Sequence, residues 1–307
     1  MRPSWQRKDT GLVVRMILSL AILSLLYIVF LSILAYLGLG FIPITIIALI
    51  MILSQWYFSD KIVLWSSGAK VVTRDQFPEL HDLVERIVAR NNISKPKIAV
   101  INTRMPNAFA TGKGPRTSVV AVTTGLMDIL DPEELEGVIA HELTHIRNRD
   151  VLVLTLASLF STVAWYLMQF GFYGGLYSGG GMGYGYGSGG NRNNNGAGAM
   201  IIVILVAMLT WIISFLIIRA ISRYREFAAD RGSAQMTGKP IKLANALMKI
   251  SGTMRRIPTR DLRQEEGLNA FFIIPALSGS TIGNLFSTHP PVEKRVQKLM
   301  EMEASMS

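Results

Sequence analysis

The sequence predicts an α+β membrane protein, with four transmembrane helices in two hairpins and a mainly helical soluble part that contains a small β-sheet. Three observations carry this. The 307-residue chain is 50% hydrophobic and only 17% charged, with a mean hydropathy of +0.35, whereas soluble domains average about a quarter charged residues. Its apolar residues are gathered into four long uncharged runs instead of being spread periodically. Outside those runs lie amphipathic and strand-like segments able to build a water-facing core.

Met16 to Leu37 holds 22 residues without a charge and Gly38 to Phe58 another 21, each enough to cross about 30 Å of hydrocarbon as a helix. The turn at Gly38 to Gly40 is short, so the pair forms a hairpin with both ends on one side, and Pro43 falls near a helix start, where it is tolerated. A cleaved signal peptide would have an apolar region of about 7 to 15 residues and a small-residue cleavage site. This run is longer, so it is read as an uncleaved anchor. Val151 to Tyr173 and Ala199 to Ile218 make the second hairpin. Between them, Gly174 to Gly198 carries 12 glycines in 25 residues, a composition that cannot bury a core and is expected to form a flexible loop. The expected divisions are 1–58 for the first hairpin, 59–150 for the first soluble part, 151–218 for the second hairpin and 219–307 for the second soluble part.

The net charge of +10 divides into +3 for 1–58, zero for 59–150, +1 for 151–218 and +6 for 219–307. Because the excess flanks the apolar runs, it points to a lipid bilayer and away from nucleic acid. Arg2, Arg7, Lys8, Lys61, Lys70, Arg147, Arg149, Arg219, Arg223 and Arg225 crowd the outer ends of the two hairpins, whereas their connecting loops hold a single basic residue, Arg192. By the positive-inside rule, both termini and both soluble parts face the cytosol. Cysteine is absent, so a metal would have to be held by histidine and carboxylate.

In the first soluble part, Leu80, Leu83, Val84, Ile87 and Val88 make one helical stripe within Gln76 to Arg90, with His81 placed on the solvated side. Lys97 to Ile101 and Ser118 to Thr123 read as strands, joined through a turn-rich Met105 to Pro115. Asp131-Pro132-Glu133-Glu134 opens a helix with an N-cap, a proline at the first position and acidic residues in the first turn. That helix carries His141-Glu142-Leu143-Thr144-His145. Residues four apart share a helix face, so the two imidazoles can meet one ion while Glu142 projects beside them as a candidate general base. With 4 His and 12 Glu in the chain, chance supplies roughly two such pentapeptides per thousand sequences of this composition. Farther on, Glu226 and Asp230 share a helix face within Arg223 to Asp230. They read either as a third ligand with a supporting carboxylate that orients a histidine, or as a solvated charged face. Among competing ligands to Glu226, Asp150 is too close to His145 to bend back from a continuing helix, whereas Asp230 and His289 stay open. His289, before Pro290 and Pro291, either reaches the cleft or caps the basic C-terminal helix from Val292 to Met300.

Two N-terminal apolar segments, Asn107-Ala108-Phe109-Ala110-Thr111-Gly112, HELTH at 141 to 145, a second apolar hairpin and Glu226-Phe227-Ala228-Ala229-Asp230 together resemble the HtpX family of membrane zinc metalloproteases, relatives of the CAAX prenyl proteases. The resemblance covers nearly the whole chain. It implies a zincin-type catalytic domain with one zinc per chain, held by His141, His145 and Glu226, with Glu142 as base and Asp230 in support. It also implies a protease of membrane-protein quality control and stress response at the cell membrane, acting on membrane proteins or unfolded polypeptides. The Asn107 to Thr111 segment is then either an edge whose Asn107, Ala108, Phe109 and Ala110 hold substrate backbone or a plain loop, with His289 at the cleft. Two other readings stand beside it: an intramembrane site-2-type protease, which the charges around HELTH disfavour, and a non-enzymatic membrane scaffold or transporter.

Overall fold

The computed structural model describes residues 10–36, 42–112, 114, 116–150, 165, 195–256 and 289–306. The protein is mostly helical with one small mixed sheet. It divides into two units: Met1–Arg15, Trp56–Val153 and Arg219–Ser307 form one, and Met16–Gln55 with Leu154–Ile218 the other.

The apolar unit is built from α1 (Thr10–Tyr36) from Met16 onward, α2 (Ile42–Ser66) up to Gln55, and the first part of α6 (Asn195–Thr237) up to Ile218. Side chains such as Ile17, Leu25 and Ile28 on α1 and Ile201, Leu205 and Leu209 on α6 are exposed. Leu23, Phe30, Ala207 and Ser214 are buried. Among the described residues, the stretch Ile204–Thr237 is long and apolar enough to cross a membrane. The third apolar run, apart from Trp165, and most of the glycine-rich segment lie outside the described residues. The second run does not end as a helix at Phe58; α2 continues through Asp60 and Lys61 to Ser66.

The second unit holds the sheet. Its strands are β1 (Lys70–Val71), β2 (Lys97–Ile101), β3 (Ala108–Thr111) and β4 (Val119–Thr123), in the order β1-β2-β4-β3. Strand β4 is buried along its whole length and pairs in parallel with β2, Ala99 opposite Ala121. On its other side it pairs antiparallel with β3, Ala110 opposite Val120, which leaves β3 at an edge. Where the sequence suggests a turn-rich link, the chain therefore adds an edge strand. Thr123 fixes that edge: its hydroxyl accepts from the Asn107 amide at 2.9 Å, donates to the Asn107 carbonyl at 3.0 Å and accepts from Leu126 at the start of α4 (Thr124–Ile129).

Helices α3 (Pro78–Asn91), α5 (Pro132–Asn148) and α7 (Pro240–Met254) share one core, in which Leu80, Ile87, Val120, Leu126, Ile139, Leu143, Leu243 and Leu247 are buried. Each such side chain contributes about 1.5–3 kcal/mol on leaving water. His81, expected on the solvated side, is buried on α3 with Nε2 3.2 Å from the Val72 carbonyl, because it borders the stripe of Leu80 and Val84. Helix α5 starts with a reciprocal capping box: Asp131 accepts from the Glu134 amide at 2.8 Å, and Glu134 accepts from the Asp131 amide at 2.9 Å. It ends at Arg149, which is left-handed at φ 56°. The chain closes with α8 (Val292–Met306).

Candidate metal centre

Helix α5 presents His141 and His145 on one face, and α6 brings Glu226 and Asp230 to them. The helices meet through small groups: Ser233 Oγ donates to the Gly137 carbonyl at 2.6 Å, and Gly232 faces Thr144. One ligand atom from each of His141, His145 and Glu226 lies within 4.8 Å of the others. The two Nε2 atoms are 3.1 Å apart, and they lie 3.5 Å and 3.7 Å from the Glu226 carboxylate oxygens. Two nitrogens bound to one zinc in a tetrahedron lie about 3.3 Å apart, so this spacing suits a shared ion.

The other nitrogen of each ring faces a carboxylate. His141 Nδ1 is 3.0 Å from Asp230, and His145 Nδ1 is 2.5 Å from Asp150. This carboxylate-imidazole arrangement orients metal-binding histidines and leaves Nε2 free to bind. Asp150 reaches His145 because the helix does not continue. The left-handed turn at Arg149 ends the helix and brings Asp150 to Nδ1 of His145, whereas the sequence reading set Asp150 aside as a ligand by assuming a continuing helix.

Two arginines that the sequence reading passes over complete the cluster. Arg295, fully buried on α8, grips Asp230 with Nε at 2.9 Å and Nη2 at 2.6 Å, and its Nη1 is 3.3 Å from Glu226. Arg225, next to Glu226 on α6, is ion-paired with Asp150. The signal for Arg295 was present: it falls on the apolar stripe of Val292, Val296 and Leu299, where a charge needs a buried partner. His289 Nδ1 lies 3.2 Å from Glu226 Oε2, so this histidine joins the cluster.

Electrostatics favour a cation. Glu142, Asp150, Glu226 and Asp230 are all buried, against the guanidiniums of Arg225 and Arg295. Burial pulls His145 down to about 4, helped by the charge of His141, which keeps its imidazole neutral. At His141 burial opposes charge, but hydrogen bonds to Asp230 and Glu226 prevail and raise it to about 9. Four buried carboxylates against two guanidiniums leave negative charge for a divalent ion to offset. Burial also raises Glu142, with both histidines opposing, toward the range of a useful base.

Edge strand β3 borders the same place, since the Ala110 backbone hydrogen-bonds the Glu142 carboxylate. Phe109 is buried with Val63, Val119 and Ala121, and Asn107 is buried with its backbone tied to Thr123.

A family model described as Peptidase family M48 matches residues 74–303. A protein named Protease HtpX homolog, from Moorella thermoacetica, is 52% identical over 299 residues, covering 97% of this chain and 96% of its own. Protease HtpX homolog 2 of Methanosarcina mazei is 50% identical over 307 residues, covering 100% of both. Among solved structures, the crystal structure of S. mikatae Ste24p aligns with a TM-score of 0.55 at 18% identity, over 94% of this chain and 65% of that one. The chain thus spans less than two thirds of that protein, and at this identity the likeness concerns the fold alone.

Proposed function

The chain belongs to Peptidase family M48, among its HtpX metallopeptidases, and on that premise we propose a membrane-anchored zinc endopeptidase that cleaves misfolded or damaged membrane proteins on the cytosolic side. One observation carries the reading: two Nε2 atoms and the Glu226 carboxylate converge within 4.8 Å, each histidine backed by its own carboxylate. His141, His145 and Glu226 would hold the ion, and two imidazoles with one carboxylate suit catalytic zinc. When bound, zinc supplies Lewis acidity toward the scissile carbonyl and lowers the pKa of water toward about 7.

The chain's own residues account for the rest. Glu142 takes a proton from the attacking water and returns it to the leaving amine. The open edge of β3, from Ala108 to Thr111, pairs with extended substrate backbone, which demands little of the substrate's side chains. His289, beside Glu226, faces the developing oxyanion. We read α1, α2, the run 151–173 and the apolar part of α6 as four spans, with the centre on the cytosolic side. Against an intramembrane centre stand the ion pairs of Glu133 with Lys239 and Lys242 on the flank of α5, about half exposed, which would be costly in lipid.

Metal analysis of the full chain purified in detergent tests this. One zinc per chain is expected, retained in Glu142→Gln while hydrolysis of an unfolded polypeptide is lost. A wild-type protein without metal, or a Glu142→Gln variant that still hydrolyses, overturns it.

A further inference from the structure

We propose that Arg225 and Asp150 are positioning residues for His145, a counterpart of the Arg295–Asp230 pair behind His141. The inference rests on the metal-centre reading and extends it from the Asp150–His145 contact to Arg225 behind it. Asp150 Oδ2 is 2.5 Å from His145 Nδ1, and its other oxygen, Oδ1, meets Arg225 Nη2. Both side chains are nearly sealed from water, at 2% exposure for Arg225 and 6% for Asp150. Arg225 holds one oxygen of Asp150 and so places the other against His145 Nδ1, which fixes the ring with Nε2 turned toward His141 and Glu226.

Two features make this a device for the centre and not a bridge placed at random. Arg149 adopts φ 56°, uncommon for a residue with a side chain, and this turn carries Asp150 back to the helix it has just left. Arg225 directly precedes Glu226 on α6, so one helical turn supplies a ligand and the support for a ligand on another helix. The two arginine-carboxylate-imidazole series come from different elements, α8 with α6 for His141, and α6 with the end of α5 for His145.

The test uses the full-length chain in detergent, with Arg225→Met, Arg225→Lys and Asp150→Asn, read by zinc affinity against a competing chelator and by the visible spectrum of the cobalt-loaded protein. Arg225→Met and Asp150→Asn should each bind zinc about 10 to 100-fold more weakly, with a shifted cobalt band, and Arg225→Lys should recover most of the affinity. A merely structural ion pair would lower the unfolding temperature and leave the cobalt band of the folded fraction unchanged. If Arg225→Met does not fold, Asp150→Asn decides alone. Wild-type affinity and spectrum in Asp150→Asn overturn the proposal, whereas a wild-type chain that binds no zinc overturns the metal reading beneath it.

Discussion

Thr144 occupies the space that a side chain on Gly232 would need: a β-carbon there would lie 2.4 Å from Thr144 Cγ2 and 2.6 Å from Oγ1. This contact sets the approach of α6 to α5 and so the distance between Glu226 and the two histidines. Thr144 cannot swing away freely, since it is β-branched, fully buried and bonded to the Ala140 carbonyl at 2.8 Å.

Gly232→Ala should therefore push the helices apart, weaken zinc binding at least tenfold and destabilise the fold by about 1–3 kcal/mol, the usual cost of overpacking. Thr144→Ala in the same chain should restore most of both losses. Additive losses in the double variant would mean that the two sites are not coupled.

The ligand set can be separated by substitution. Glu226→Ala should nearly abolish tight zinc binding, Asp230→Ala should weaken it about 10 to 100-fold by releasing His141, and His289→Ala should keep it while slowing hydrolysis. Tight binding in Glu226→Ala would sink its assignment as a ligand.

Reporter fusions test the topology. Fusions at residue 100 and at the C-terminus should report cytosol and one near Ser188 the opposite side, following the basic residues at the hairpin ends. A cytosolic Ser188 would remove the second crossing and spare the metal centre.

Glu133 offers a test of pH dependence. Lys239 and Lys242, each 2.7 Å from one of its oxygens, hold its carboxyl at about 2. A folded pKa below the unfolded value of 4.5 means a contribution present above about 4.5 and lost as pH falls through about 2. Glu133→Gln should be less stable than the parent above that window and converge with it below, by a small, salt-sensitive margin because these groups are exposed. An equal gap at both ends of the window would refute the linkage.

The parts legible in the sequence were those set by local pattern. The pairing of His141 with His145 follows from helical spacing alone, and the start of α5 follows from Asp131, Pro132 and Glu134. Lys97–Ile101 appears as a strand with the expected bounds. Glu226 was ambiguous on its own residues, because nothing local says what a helix 81 positions after His145 will meet. The contact of Asp150 with His145 was not legible, because it depends on one left-handed arginine, a backbone choice with no glycine or asparagine to announce it. Strand β3 was legible only through the resemblance, which made Asn107 to Thr111 an edge; its turn-rich composition did not announce it, because pairing with β4, and not propensity, makes it a strand.

The scattering of the centre along the chain also fixes when it can exist. At about 5–20 residues per second of synthesis, Glu226 follows His145 by about 4 to 16 seconds, and Arg295 follows Glu226 by a further 69 residues. A growing chain thus emerges with its two motif histidines in place before the carboxylate proposed to complete the ligand set and before the arginine that grips Asp230. Chains interrupted before α6 or α8 would lack part of the proposed centre, so the order of synthesis withholds peptidase activity until the chain is nearly finished.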